Sequence, residues 1–294
     1  MPVSLRTGSV RAPLGQRLVG AAALLSLLAT CCLAAAEEQE VGSTSAAARL
    51  EARRAIPLAK VDPAFRQQVN DIIADPSLYR RMPTSVIDCR PELFTFLAQN
   101  PEVLTEVWRH LGVSRIELAR TGDNSYDLRD GAGTTGKLTV VEQNCDAAAQ
   151  NRIVMYADGR YEGKPFQKPM TAQCVLLLRS GSMVETNGRH FVAARLDTFI
   201  KLDSVSLELM AKAVHPFVGQ TADRNFVDTL SFVSNLSYTA EKRPQAIDAL
   251  AIELERVDEP RRQEFVKLSY ECAKAGREWQ LSRADQAADR AVTR

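Results

Sequence analysis

Asn187-Gly188, set between two long runs of apolar or alternating residues, constrains this chain more than any other feature. A two-residue type I′ turn needs positive φ at both positions, which Asn and Gly tolerate, so residues 170–203 are predicted to form a hairpin of two long strands. With that turn Thr186 faces Arg189, paired numbers sum to 375, and Arg179 falls beside Leu196. One extra residue near Ser180-Gly181-Ser182 lowers the sum to 374 and sets Leu178, Leu176 and Cys174 opposite Leu196, Thr198 and Ile200. A slip of one reverses every side chain, so the apolar match predicts a β-bulge at or beside Gly181.

Alternation divides the second strand into two faces. The even face (Val192, Ala194, Leu196, Thr198, Ile200, Leu202) is nearly all apolar and is the expected core face, whereas the odd face mixes Phe191, Ala193, Arg195, Asp197, Phe199 and Lys201. The plain expectation for the odd face is solvent, because antiparallel sheets commonly expose one side. The sharper one is that Arg195 and Asp197 edge a pocket for an amphiphile. Tyr156, Arg195, Asp197 and Phe199 are the candidate ligand-binding residues.

Upstream, Asp62-Pro63 opens a helix with Val69, Ile72 and Ile73 on one side, and Pro76 ends it. Pro91 opens a second helix, Asn100-Pro101 interrupts it, and Gly112 closes a third. From Val113 to Asp203 the pattern is short alternating runs parted by turn residues: 114–120, 125–130, 137–143, 152–156 and the two hairpin strands. Six consecutive strands without an intervening helix imply an α+β fold, a six-stranded antiparallel meander flanked by N-terminal helices and a C-terminal helical segment. Beyond it, helical stripes appear at Leu207, Met210, Ala211 and Val214, at Phe226 to Leu236, at Ile247 to Val257 and at Phe265 to Cys272.

Arg6, Arg11 and Arg17 precede an unbroken small and apolar run from Leu18 to Ala36, and acids begin at Glu37. That is a secretory signal pattern with Ala34-Ala35-Ala36 at the cleavage site. An uncleaved membrane anchor ranks second, and a lipid-modified Cys31 after Leu28-Ala29-Thr30 third. The expected division is a signal peptide over 1–36, a disordered tether over 37–61, an α+β domain over 62–243, a helical pair packing on it over 244–279, and a disordered tail over 280–294. The expected address is exported, periplasmic or secreted. Removing three arginines and no acids takes the formal charge from +1 to −2, which argues against nucleic acid as a partner. Cys89, Cys145, Cys174 and Cys272 remain as candidate disulfide partners, preferred as Cys145 with Cys174 and Cys89 with Cys272, and free buried thiols are an equal alternative.

Gly131-Ala-Gly133-Thr-Thr-Gly136-Lys137-Leu138 matches G-x-G-x-x-G and nearly matches a P-loop. Both motifs hold phosphate at the start of a following helix, but Leu138-Thr-Val-Val reads as strand, so a hairpin loop is expected and no cofactor. His110, His190 and His215 lie far apart without zinc spacing, and no metal is expected. Cys89, between Asp88 and Arg90, fits a disulfide half better than a nucleophile in an oxidising compartment.

Helices, a run of antiparallel strands, and a helix directly after the last strand resemble the START-like, helix-grip superfamily over about 102–243. The resemblance rests on element order, and it departs where several helices follow the sheet and Pro216 cuts the first. It implies a cavity between sheet and helix for lipids, sterols or other apolar small molecules. The expectation is therefore a non-enzymatic exported protein binding a hydrophobic small molecule or lipid. The membrane would be met only through an uncleaved signal or lipid anchor. The alternatives are an envelope interaction module with a filled core and a protein partner, and a hydrolase with dispersed catalytic residues.

Overall fold

Residues 41–145, 150–163, 169–203 and 216–292 are described by the computed structural model. The leader expected over 1–36 and the stripe Leu207, Met210, Ala211 and Val214 lie outside them. The six expected strands all form: β3 (Glu117–Gly122), β4 (Ser125–Arg129), β5 (Thr134–Asn144), β6 (Asn151–Tyr161), β7 (Met170–Val184) and β8 (His190–Leu202). Each pairs antiparallel with the next. Two short strands, β1 (Leu78–Arg81) and β2 (Ser85–Asp88), extend the sheet by pairing in tandem along β8. Between them the pairing sum moves from 278 to 279, so one extra residue sits at Met82-Pro83-Thr84, where an edge strand tolerates proline.

The hairpin takes the 374 register throughout, from Ala172 opposite Leu202 to Val184 opposite His190. The bulge expected at Gly181 is absent, since Gly181 pairs directly with Ala193. The extra residue is instead absorbed by the turn. Gly188 N–H donates to the Glu185 carbonyl at 2.8 Å, Glu185 N–H donates to the Arg189 carbonyl at 2.9 Å, and Gly188 has φ of +79°. A three-residue loop ending in a left-handed glycine restores the apolar match without bending the strand.

On the even face, Val192, Ala194, Ile87 and Met82 meet α3 (Pro91–Gln99), α4 (Pro101–His110), α5 (Pro216–Lys242), α6 (Pro244–Ile252) and α7 (Glu259–Val292) in the largest core. Phe226, Leu230 and Val233 of α5 and Phe265 and Leu268 of α7 supply its far side. A neighbouring cluster of Tyr126, Leu138, Val140 and Ile153 continues that face towards β4. Helix α7 continues to Val292, so the tail expected to be disordered from 280 is helical among the described residues. Trp279 Nε1–H donates to the Asn187 carbonyl at 2.7 Å, so α7 reaches the hairpin tip. Antiparallel meander and flanking helices are an arrangement compatible with the helix grip.

The odd face departs most from expectation. Helix α1 (Ala46–Ala55) and α2 (Arg66–Ala74) cover Phe199, Val175, Leu177, Val154 and Tyr156, forming a second core with Ala52, Ile56, Val61 and Ile72. Over the described residues 41–61 the expected tether is instead α1 and its connections, with the helix capped by the Ser45 hydroxyl, which accepts from Ala48 N–H at 3.2 Å. It escapes the pattern because α1 buries only Ala48 and Ala52, small residues four apart that let the helix lie flat but carry little apolar signal. Ala52 is fully buried, so Ala52→Leu should overpack this contact and lower stability by about 1–3 kcal/mol in urea unfolding. A free tether would be indifferent to that change.

Candidate functional site

Three arginines fall in one row across three strands of the odd face: Arg195 of β8 is paired with Arg179 of β7, and Arg179 with Arg152 of β6. Like charges directly opposite are unfavourable in a sheet unless anions answer them. Arg152 is answered by Glu142, through bonds of 2.9 and 2.7 Å. Arg179 is answered by Asp197, the fully buried carboxylate one row along, at 2.9 Å. The other oxygen of Asp197 accepts from Tyr79 Oη–H at 2.6 Å and Arg81 Nε–H at 2.7 Å, both from the edge strand β1. Burial and the adjacent Asp197 both raise the Tyr79 phenol above its ordinary value, so it stays a donor.

A second carboxylate comes from outside the sheet. Glu51 of α1 accepts from Arg179 at 2.5 and 3.3 Å, from Arg195 at 3.4 Å, and from Arg81. Its bond to Arg179, together with the charges of Arg179 and Arg195, lowers its carboxyl from 4.5 to about 2 against the opposing pull of burial. Four arginines (81, 152, 179, 195) thus face three carboxylates (51, 142, 197), which leaves one positive charge unmatched. Arg179 Nε is buried without a hydrogen-bond partner. Burial, then Arg179 and Arg81, pull Arg195 below its ordinary value. A guanidinium nonetheless stays charged near neutrality.

Beyond the row the sheet opens. A depression of about 420 Å³ is lined by Val41, Glu51, Arg81 and Pro83, and a larger one of about 630 Å³ by Arg179, Gly181, Met183 and Ala193. They adjoin, sharing Thr84 and Arg195. On the opposite face the crevices at α3 are closed. One, beside Ile153 and Leu178, has about 0 Å³ of free volume, and one, beside Phe94 and Val192, about 10 Å³, room for one water at most.

Of the four candidate ligand residues, Arg195 lines both depressions and Asp197 lies beneath, holding Arg81 and Arg179. Phe199 and Tyr156 are elsewhere: Phe199 packs on Tyr79 and Tyr156 on Phe65, inside the core under α1 and α2. Alternation singled out Arg195 and Asp197 but missed Arg179, Arg81 and Glu51. The 374 register does contain Arg179, opposite Arg195. Glu51 is distant in sequence and carries no local signal.

Among the described residues, Cys89, Cys145, Cys174 and Cys272 are all free thiols, so neither expected disulfide is present. The Cys145 and Cys174 pairing fails on register. Cys145 follows the end of β5 level with Asn151 and Ser180, six residues along β7 from Cys174, or about 20 Å at 3.3 Å per residue. Cys89 and Cys272 share the even-face core as small apolar groups, and burial pushes both thiols up to about 12. A thiol so protonated is a poor nucleophile.

The glycine motif forms the β4–β5 loop with strand on both sides, Gly131 at φ +68° and Gly133 at φ +120°, and no helix start for a phosphate. A crevice of about 20 Å³ gathers His190, Ser237, Asp88 and Glu241. Arg189 engages both acids, and Nδ1 of His190 has no partner, so no acid–His–Ser relay is assembled there. Comparison with protein-family models and with curated proteins returns no match, so the reading of the site rests on its geometry.

Asp197→Ala would remove the buried acceptor that Tyr79, Arg81 and Arg179 share, leave the two arginines only Glu51, and should lower stability by about 1–3 kcal/mol in urea unfolding. Tyr79→Phe removes one hydrogen bond to the same carboxylate and should lower it by about 0.5–3 kcal/mol. Glu51 adds a pH dependence. Its value is lowered on folding, so its hold on α1 is complete above about pH 4.5 and is lost as pH falls through about 2. NMR shifts of residues 46–55 should titrate with the lower midpoint.

Proposed function

We propose that this protein is a non-enzymatic binder of a small amphiphile, held in the open groove on the odd face of β7 and β8. The observation that carries the reading is the order of residues along that face. Arg179 and Arg195 form one paired row, Gly181 and Ala193 the next, and Met183 and Phe191 the one after. The groove therefore grades from charge through a floor almost without side chains to an apolar end at the exposed Met183, with the exposed Val86 of β2 beside Ala193 in the middle row. A molecule with a polar head and a hydrocarbon end matches that order, and the volumes suit a small ligand. Among the described residues, the two crevices between the even face and α3, where the helix-grip resemblance implies enclosure, offer only about 0 and 10 Å³. The leader expected at 1–36 makes an exported binder the setting of this reading.

A second reading, an envelope interaction module, is favoured by that same filled even-face core. Gly181→Val separates the two. The valine suits a strand better than glycine and should raise stability by about 0.5–1 kcal/mol. It would also fill the groove floor and weaken dodecanoate binding, measured by calorimetry, by about tenfold or more. Wild-type protein that binds no dodecanoate and self-associates in sedimentation would overturn the ligand reading in favour of the module.

A further inference from the structure

We propose that Arg81, Arg179 and Arg195 form a receptor for the carboxylate of an acidic amphiphile, and that Glu51 of α1 fills this receptor as a built-in stand-in that the ligand displaces. The inference rests on the groove reading above and narrows its ligand to one head group. The two carboxylates at the arginines are unlike in kind. Asp197 comes from the sheet itself, is fully buried, and accepts through both oxygens from β1 and β7. Glu51 comes from a helix laid over the sheet, and its side chain is 47 % exposed although three guanidinium groups hold it.

A permanent carboxylate below and a removable one above leave a seat shaped for one planar anion. Guanidinium forks match that shape closely. The donors also outnumber what Glu51 uses: Arg179 Nε has no partner, and the hydrogen bond of Arg195 to Glu51 spans 3.4 Å. Glu51 itself lines the smaller depression, which joins the larger one at Arg195, so an anion leaving the groove floor meets Glu51 directly. The rest of the hold on α1 lies on its alanine side, where Ala48, Ala52 and the C-cap Ile56 sit in the second core, and at its start, where Ser43 bridges Arg81. Arg81 donates to the Ala48 carbonyl at 3.0 Å, and the buried side chains of the helix are two alanines. Exchange of carboxylates therefore frees Glu51 and the outer side of α1 from the arginines while its alanine side stays in the second core.

The test is calorimetry on the full chain with sodium dodecanoate, neutral monododecanoyl glycerol and sodium acetate, with amide hydrogen exchange read at residues 46–55. Wild-type protein should prefer dodecanoate to the neutral ester by about tenfold or more, and dodecanoate should speed exchange in α1. Glu51→Gln should tighten dodecanoate by about tenfold and leave the ester unchanged. Arg195→Lys, which keeps the charge and loses the fork, should weaken dodecanoate alone. Thermal unfolding of each variant separates loss of the fold from loss of the seat. Equal binding of dodecanoate and ester, with Gly181→Val weakening both, would overturn the carboxylate receptor and leave the groove standing. Acetate binding as tightly as dodecanoate would assign the seat to a free small anion and overturn the amphiphile. Slower exchange in α1, or no gain from Glu51→Gln, would overturn displacement. If neither dodecanoate nor the ester binds, the groove reading fails and this inference with it.

Discussion

Asp197 sits in the middle of a paired strand with none of its surface in water, and everything on the odd face follows from how that charge is satisfied. A carboxylate removed from solvent loses several kcal/mol of hydration, about as much as its partners can return with good geometry. Here the partners come from two different strands, Tyr79 and Arg81 on one side and Arg179 on the other. A slip of one residue in either pairing would turn Asp197 to the even face and leave its arginines behind. The ion cluster therefore works against misregister in both the long hairpin and the short edge strand. It adds little net stability by itself, and its main effect is to penalise every arrangement but one.

The same logic extends outward through two adjacent arginines. Arg80 and Arg81 point to opposite faces of β1, as neighbours in a strand must. Arg81 turns to Asp197 and, through Glu51, to α1. Arg80 turns to Asp223 of α5, at 2.7 Å, and Asp223 also accepts from Gly42 N–H at 3.2 Å. The edge strand thus grips a helix on each side of the sheet. A single bridge between Ser43 and Arg81 covers part of its outer edge, where unpaired backbone groups would otherwise face solvent. The four-residue strand β1 thereby ties both helical layers together.

What could be read from the residues and what could not divides along the range of the forces involved. Six strands, the Pro91 and Asn100-Pro101 breaks and the apolar stripes of α5 to α7 are local patterns, and each is present in the fold. The register of the hairpin was also accessible, because matching apolar rows is a local count. The position of the extra residue was not. Asn-Gly suits a two-residue turn and a three-residue loop ending in glycine alike, and only the hydrogen bonds of Glu185 decide between them. Strands β1 and β2 hide in Leu78-Tyr-Arg-Arg81 and Ser85-Val-Ile-Asp88, each too short to alternate visibly. Helix α1 hides because alanine packs closely without being strongly apolar. Half of the candidate site was legible in the same way: Arg195 and Asp197 stand out as charges on a strand, whereas Glu51 arrives from 144 residues away.

Gly181 was expected to carry a bulge and instead sits in regular pairing. Glycine inside a strand ordinarily marks a bulge, a positive φ or a close approach of another chain segment. Its pairing is regular, it is not among the glycines with positive φ, and a side chain there would meet only Gln150 Cγ, at 3.9 Å. Neither the backbone nor the packing requires it, so in this long central strand it only weakens the sheet. Its partner Ala193 is also small, and both lie between charged and apolar rows on the face that α1 and α2 leave partly uncovered. On this pair the sheet gives up side chains and leaves open space above the floor. The odd face is covered where Phe199 needs a core and left open where Gly181 and Ala193 make room, and the arginine row marks the boundary between the two.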